Sequence, residues 1–215
     1  MANVNAPKGF SPVGMLSGAA YNEQGRLYAI PTSDTTNSYA VGDVVMSLAS
    51  ADADGVPYVQ KWGGVATTSA LPLGIIVGIR VANPGVSLVA ASLDLSTTYI
   101  NAGTRTSVVY VYVVDDPHVI FEAQFDSTAI TVANLHQNAA VTVSASVVQT
   151  TSSPLSTMVL TAPAVTATLP IRLMGAIQRP DNTVGAYVKV LCKWNYHEYG
   201  VTPGASGTVV SYLAP

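Results

Sequence analysis

The sequence predicts an all-β protein: a β-sandwich, jelly-roll-like or partly closed barrel, with extended N- and C-terminal arms. Three observations predict it. Apolar side chains recur at a period close to two along most of the 215 residues, the spacing that lines one face of a strand. No segment holds a helical period over about 12 residues. Gly (17 residues) and Pro (13 residues) interrupt the chain at short intervals, as they do between the short strands of sandwiches and barrels.

The elements follow in order. Arg26 to Ile30 reads as a short strand stopped by Pro31. Tyr39 to Leu48 reads as a strand with a bulge at Gly42-Asp43; Asp52-Ala53-Asp54-Gly55 is a turn, and Val56 to Trp62 returns as its hairpin partner. Leu73 to Val81 is a near-continuous apolar run between turn residues, the mark of a buried strand. Arg105 to Val114 is rich in Val and Tyr and favours a strand. Asp115-Asp116-Pro117 is expected to turn the chain so that His118 to Phe125 runs back, with Val119, Phe121, Ala123 and Phe125 on one face. Thr131 to Asn138 holds one helical turn or a loop. Ala140 to Val148, Thr157 to Ala162, Ile171 to Gln178, Ala186 to Trp194 and a final short strand over Thr208 to Leu213 complete the set. Arg179-Pro180-Asp181-Asn182 makes a hairpin of two of them.

The ends differ from the middle. After Met1, residues 2–20 have only Phe10, Met15 and Leu16 as large apolar anchors. Pro7 and Pro12 favour an extended course. The expected organisation is an N-terminal arm over 1–20, a single β domain over 21–199 and a C-terminal arm over 200–215. The N-terminal arm is expected to order on a partner through Pro7, Phe10, Pro12 and Val13, with Phe10 filling a partner's pocket.

Composition narrows function. Nine Lys and Arg and twelve Asp and Glu make the chain 10% charged with a net charge of −3; a typical soluble domain is about 25% charged. Clustered cations for nucleic acid are absent from the sequence pattern, so no direct nucleic-acid partner is expected. The N-terminus lacks the basic and apolar regions of a secretory signal. No run approaches the roughly 18 apolar residues of a spanning helix, so no membrane partner is expected. Cys192, the single cysteine, sits between apolar residues and reads as a small buried hydrophobe. Eleven Tyr residues offer large contact area with a polar tip, suited to strand packing and to interfaces.

Chemistry is quiet by comparison. Asp52-x-Asp54-Gly55 starts like a calcium loop, but its glycine falls early and Pro57 follows. Asp115, Asp116, His118 and Glu122 cluster around one turn, where carboxylates and a histidine could bind metal or exchange protons; their spacing fits no metal motif. His197-Glu198 lacks the second histidine of a zinc-protease helix. Lys189 and Lys193 share a strand face, with Arg179 near in sequence. The expectation is no enzyme, no cofactor and no metal site.

Several motifs resemble one family. Met1-Ala2-Asn3-Val4-Asn5-Ala6-Pro7-Lys8-Gly9-Phe10-Ser11-Pro12-Val13 is similar to the N-termini of tailed-bacteriophage head proteins that read M-A-N-x-N-A-P-x-G-[LF]-x-P-V. Tyr39-Ala40-Val41-Gly42-Asp43-Val44-Val45 and Ala51-Asp52-Ala53-Asp54-Gly55-Val56-Pro57 continue it. So do Val114-Asp115-Asp116-Pro117, Phe121-Glu122-Ala123-Gln124 and Gln178-Arg179-Pro180-Asp181-Asn182-Thr183-Val184-Gly185. The likeness stops near Tyr199. It implies a capsid decoration, or cement, protein: β-rich, trimeric in preference to dimeric, made in the host cytoplasm and bound to the major capsid protein on the outside of the phage head. The alternative is a receptor- or glycan-binding β-sandwich on a virion surface, with Trp62 or Trp194 as an aromatic platform.

Overall fold

In the computed structural model, residues 3–22, 24–66, 70–81, 97–143, 155–202 and 210–211 are described. They are all-β as expected, with one 3-10 turn at Val132–Asn134. No helix among them is long and apolar enough to cross a membrane.

Two rolled sheets make up the body. The first is a closed barrel of β2 (Arg26–Ile30), β4 (Val44–Ala51), β5 (Pro57–Lys61), β6 (Gly74–Val81) and β8 (Val109–Val114), in the order β2-β5-β4-β6-β8. Its neighbours are antiparallel except β2 and β5, which meet in parallel at Ala29 and Tyr58. A short pair, β3 (Tyr39–Ala40) with β7 (Tyr99–Ile100), lies beside it. The second sheet has the order β1-β9-β13-β12-β10-β11, from β1 (Ser11–Met15), β9 (Val119–Gln124), β10 (Asn138–Thr142), β11 (Val159–Ala164), β12 (Ile171–Ala176) and β13 (Lys189–Trp194). Its end strand β11 returns to the end of β9 through a parallel bridge between Phe125 and Leu160, where Asp126 N–H donates to Leu160 O at 2.9 Å. A last pair joins β14 (Val201–Thr202) to β15 (Val210–Ser211).

With β1 set aside, the two sheets have the same topology. In each, the first strand meets the third in parallel, the third pairs the second, the second the fourth, the fourth the fifth, and the fifth closes on the first. The fourth strands share a further detail. Leu71-Pro72-Leu73 leads into β6 and Leu169-Pro170-Ile171 into β12, and each strand carries one irregularity just before a glycine, between Ile76 and Gly78 and between Leu173 and Gly175. The chain is thus an internal repeat of one five-stranded unit.

Paired apolar residues join the units. Val44-Val45, Ile75-Ile76 and Val113-Val114 are each buried at both positions. Adjacent side chains on a strand point to opposite faces. Val45, Ile76 and Val113 therefore fill the first barrel, while Val44, Ile75 and Val114 pack into the second unit's core with Phe121, Leu160, Val190 and Trp194. Burying one such side chain contributes roughly 1.5–3 kcal/mol.

Two expectations are corrected here. Asp115-Asp116-Pro117 does not turn a hairpin: β8 pairs with β2 and β6, and β9 with β1 and β13. The segment is the crossover from the first unit to the second. Residues 3–15 are not a free arm either, because β1 is a strand of the second sheet. Of the expected C-terminal arm, residues 203–209 and 212–215 lie outside the described residues, as do the first two residues of the N-terminal motif.

Candidate interaction site

The N-terminal segment is bound along its whole described length by residues distant in sequence. Asn3 donates from Nδ2 to Thr183 O at 2.7 Å and Ala186 O at 2.8 Å, and its Oδ1 accepts Thr183 N–H at 2.9 Å. Gln124, 4% exposed, donates to Val4 O at 2.8 Å and accepts Ala6 N–H at 3.1 Å. Phe10 N–H donates to Gly42 O at 3.0 Å. Gly9 (φ +69°) and Gly42 (φ +94°) make this approach possible: a Cβ on Gly9 would lie 2.3 Å from Gly42 O, and one on Gly42 2.3 Å from Lys8 O. Only glycine holds such a conformation at so little cost.

Phe10 is the bolt of this seam. It is 1% exposed, stacked on Trp194 at 6.2 Å and edge-on to Phe121 at 6.5 Å between ring centroids. The pocket expected in a partner is in its own chain. The apolar count of residues 1–20 was a poor guide, because one ring in a preformed pocket and a row of main-chain bonds suffice. Pro12 sits on the end strand β1, where a missing N–H is tolerated. Pro7 is half-buried, and Val13, at the irregularity of β1, remains exposed. Of the four residues assigned to partner binding, Phe10 is buried, Pro7 and Pro12 are half-buried, and Val13 alone is exposed.

A buried polar brace lies behind the seam. Asp43 accepts Ser156 Oγ–H at 2.5 Å and Ala40 N–H at 2.9 Å, and pairs with Lys61 Nζ at 3.0 Å. Lys61 also donates to Ser38 O at 3.0 Å. Tyr39 donates to Asp34 and accepts Lys61 N–H. Burial acts to raise the Asp34 pKa, but hydrogen bonds from Tyr39 and Asn37 outweigh it and leave the carboxyl lowered. Alongside the seam runs a cleft of about 690 Å³, walled by Phe10, Pro12, Val41, Ile76, Tyr112 and Leu155.

The carboxylates grouped in sequence separate in space. Asp115 is buried, accepting Tyr28 O–H at 2.7 Å and pairing with Arg26 at 3.4 Å. Burial first, then the bonds to Tyr199 and Asp115, push the Tyr28 phenol up. Asp116 meets exposed His118 at 3.3 Å. Glu122 lies on the outer face of β9, held by Arg179 at 2.8 Å. Among the described residues no three His, Cys, Asp or Glu side chains come together as metal ligands. Cys192 is fully buried and its thiol pKa is pushed up by burial, the role its sequence context predicts. Trp62 and Trp194 are 0% and 3% exposed, so neither forms the aromatic platform of the glycan-binding alternative.

Sequence reasoning missed His197. It is 1% exposed, with Nδ1 accepting Tyr199 N–H at 3.0 Å and its ring 5.8 Å from that of Trp194. Burial lowers its pKa from 6.5 to about 4. Nothing in His197-Glu198 marks it, because part of the cover comes from the backbone of Leu73, far away in the chain. No family model, no curated protein and no solved structure matches this chain.

Proposed function

We propose that this chain is a capsid decoration protein, a structural virion component that binds the outside of a phage head, as a trimer, and strengthens contacts between major capsid proteins. The observation that carries the reading is the convergence of the segments that resemble that family. The N-terminal motif is bound by three of the other five: Asn3 by Thr183 and the neighbouring Ala186, Val4 and Ala6 by Gln124, and Phe10 by Gly42. Four of the six motifs therefore meet at one joint. A low charge content also suits a protein whose surface is largely occupied by contacts.

The test is decoration itself. Heads of the virion that encodes this chain, assembled without it, are incubated with the purified protein, sedimented and imaged. Decoration predicts a fixed copy number per shell and density for threefold groups of the chain on the outer surface. Absence from the shells, or release by free sugar, overturns the reading.

A further inference from the structure

The outer face of the second unit is the one surface where cations gather. On β13, Val190, Cys192 and Trp194 point inward, so Lys189, Leu191 and Lys193 point out. On β12, Arg172 points out between buried Ile171 and Leu173. Arg172 and Lys193 are direct cross-strand partners. Like charges placed opposite each other destabilise a sheet, and no acidic side chain among the described residues pairs with either one. Arg172 donates to Asn138 Oδ1 at 3.4 Å, and Lys193 to Trp194 O at 3.1 Å. Both are half-buried. Burial first, and then the Arg172 charge, lower the Lys193 pKa. Lys8 and Lys189 border a small depression with Glu122 and Gln124 on the same sheet, and Arg179 stands beside it on Glu122.

Five of the chain's nine cations thus share this face. The acids with them are Glu122, already held by Arg179, and Asp181 in the exposed turn at the hairpin's end. Half-buried Leu191 faces outward between Lys189 and Lys193 on β13. Mixed apolar and cationic surface of this kind suits a protein partner bearing carboxylates, which arginine grips bidentately. A nucleic acid, by contrast, needs a longer continuous track of cations.

We infer that the outer face of β12 and β13, centred on the Arg172–Lys193 pair, is the docking surface of this protein, and that it receives a carboxylate-rich protein surface. On the decoration reading, on which this identification of the partner rests, that surface belongs to the major capsid protein. The unpaired like charges are retained because the partner neutralises them.

Arg172→Glu separates docking from folding. It places opposite charges across β12 and β13, so the thermal midpoint stays or rises, while shell occupancy falls at least about tenfold. The double variant Arg172→Glu/Lys193→Glu loses occupancy as well. Ser50→Glu/Ala53→Glu, which changes net charge as much as Arg172→Glu on the exposed hairpin of the first barrel, leaves occupancy near wild type. Independently of shells, wild-type protein binds a labelled deca-glutamate peptide at low salt more tightly than a ten-nucleotide thymidine oligonucleotide, and Arg172→Glu/Lys193→Glu loses the peptide. Equal decoration by wild type and Arg172→Glu overturns the inference, as does preference for the oligonucleotide. Dissociation of a free oligomer by Arg172→Glu reassigns the face to self-association and overturns it too. If wild type fails to bind shells, the decoration reading falls, and the peptide measurement still decides the chemistry of the face.

Discussion

The two units share a topology and differ in what they do with charge. The first buries its ion pair: Asp43 and Lys61 are 2% and 8% exposed and meet at 3.0 Å behind the seam. Its turn carries Asp52 and Asp54, with Asp52 bonded to Tyr110 and to two backbone N–H groups. The second turns its cations outward and leaves two of them facing each other. The second unit also gains a sixth strand, β1, which the first lacks. One strand order therefore supports both an internally braced body and an outward cationic face. The difference teaches that the repeat fixes shape, while the outward residues of individual strands fix role.

The sharpest way to break the comparison is to remove what only the second unit has. Phe10→Ala empties a pocket between Phe121 and Trp194 and is expected to cost about 3–5 kcal/mol in urea unfolding. Truncating residues 2–18 is expected to be at least as damaging, so the shortened chain loses folded stability and not merely a contact arm. The first unit's counterpart is its ion pair. Asp43→Asn leaves Lys61 charged and unpaired in the interior and is expected to cost about 3–5 kcal/mol, whereas Asp43→Asn with Lys61→Met recovers most of it in a double-mutant cycle.

Acid gives a smaller, graded probe. His197 covers Trp194 at the end of β13, and its pKa is lowered to about 4 in the folded chain against 6.5 unfolded. The unfolded state binds the proton first as pH falls. Stability is therefore full above about pH 6.5 and declines toward pH 4, by about 2 kcal/mol at pH 5. Urea midpoints between pH 7 and pH 4 measure the slope, and His197→Asn, which keeps an acceptor for Tyr199 N–H, should flatten it. Smallest of all, Val13→Ala is expected to change stability by less than about 0.5 kcal/mol, as for an exposed side chain. Val13 and Phe10 are near neighbours, so the pair separates anchoring from surface within one segment.

Strands with strict alternation were legible in the sequence, because a half-buried strand leaves its period in the chain. Val119, Phe121, Ala123 and Phe125 share a buried face as the pattern requires. The turn at Arg179–Asn182 was legible as well: Asn182 closes it with bonds to Ile177 O and Lys189 O. β1 was not, since Pro12 and Gly14 weaken any strand signal and its partner β9 lies far along the chain. Local turn chemistry also reads the same for a hairpin and for a crossover, which is why Asp115–Pro117 misled. Phe10 stood out in the sequence as an anchor, but the identity of its pocket depends on Phe121 and Trp194, and residue spacing does not report that. The duplication is not legible in the sequence because, outside Leu-Pro and the glycine after the bulge, the two units keep little in common but polarity pattern.

The stitching of Asn3 onto Thr183 and Ala186 has a consequence for synthesis. Asn3 is made well before its own fastening points, which lie 180 residues or more further on. At about 5–20 residues per second, the segment waits on the order of ten seconds or more before it can be fastened. All five strands of the first barrel lie within residues 26–114 and can close in that interval. The joint between the units is then completed late, by residues made early, so the nascent protein carries no finished pocket for Phe10 until Trp194 has been made.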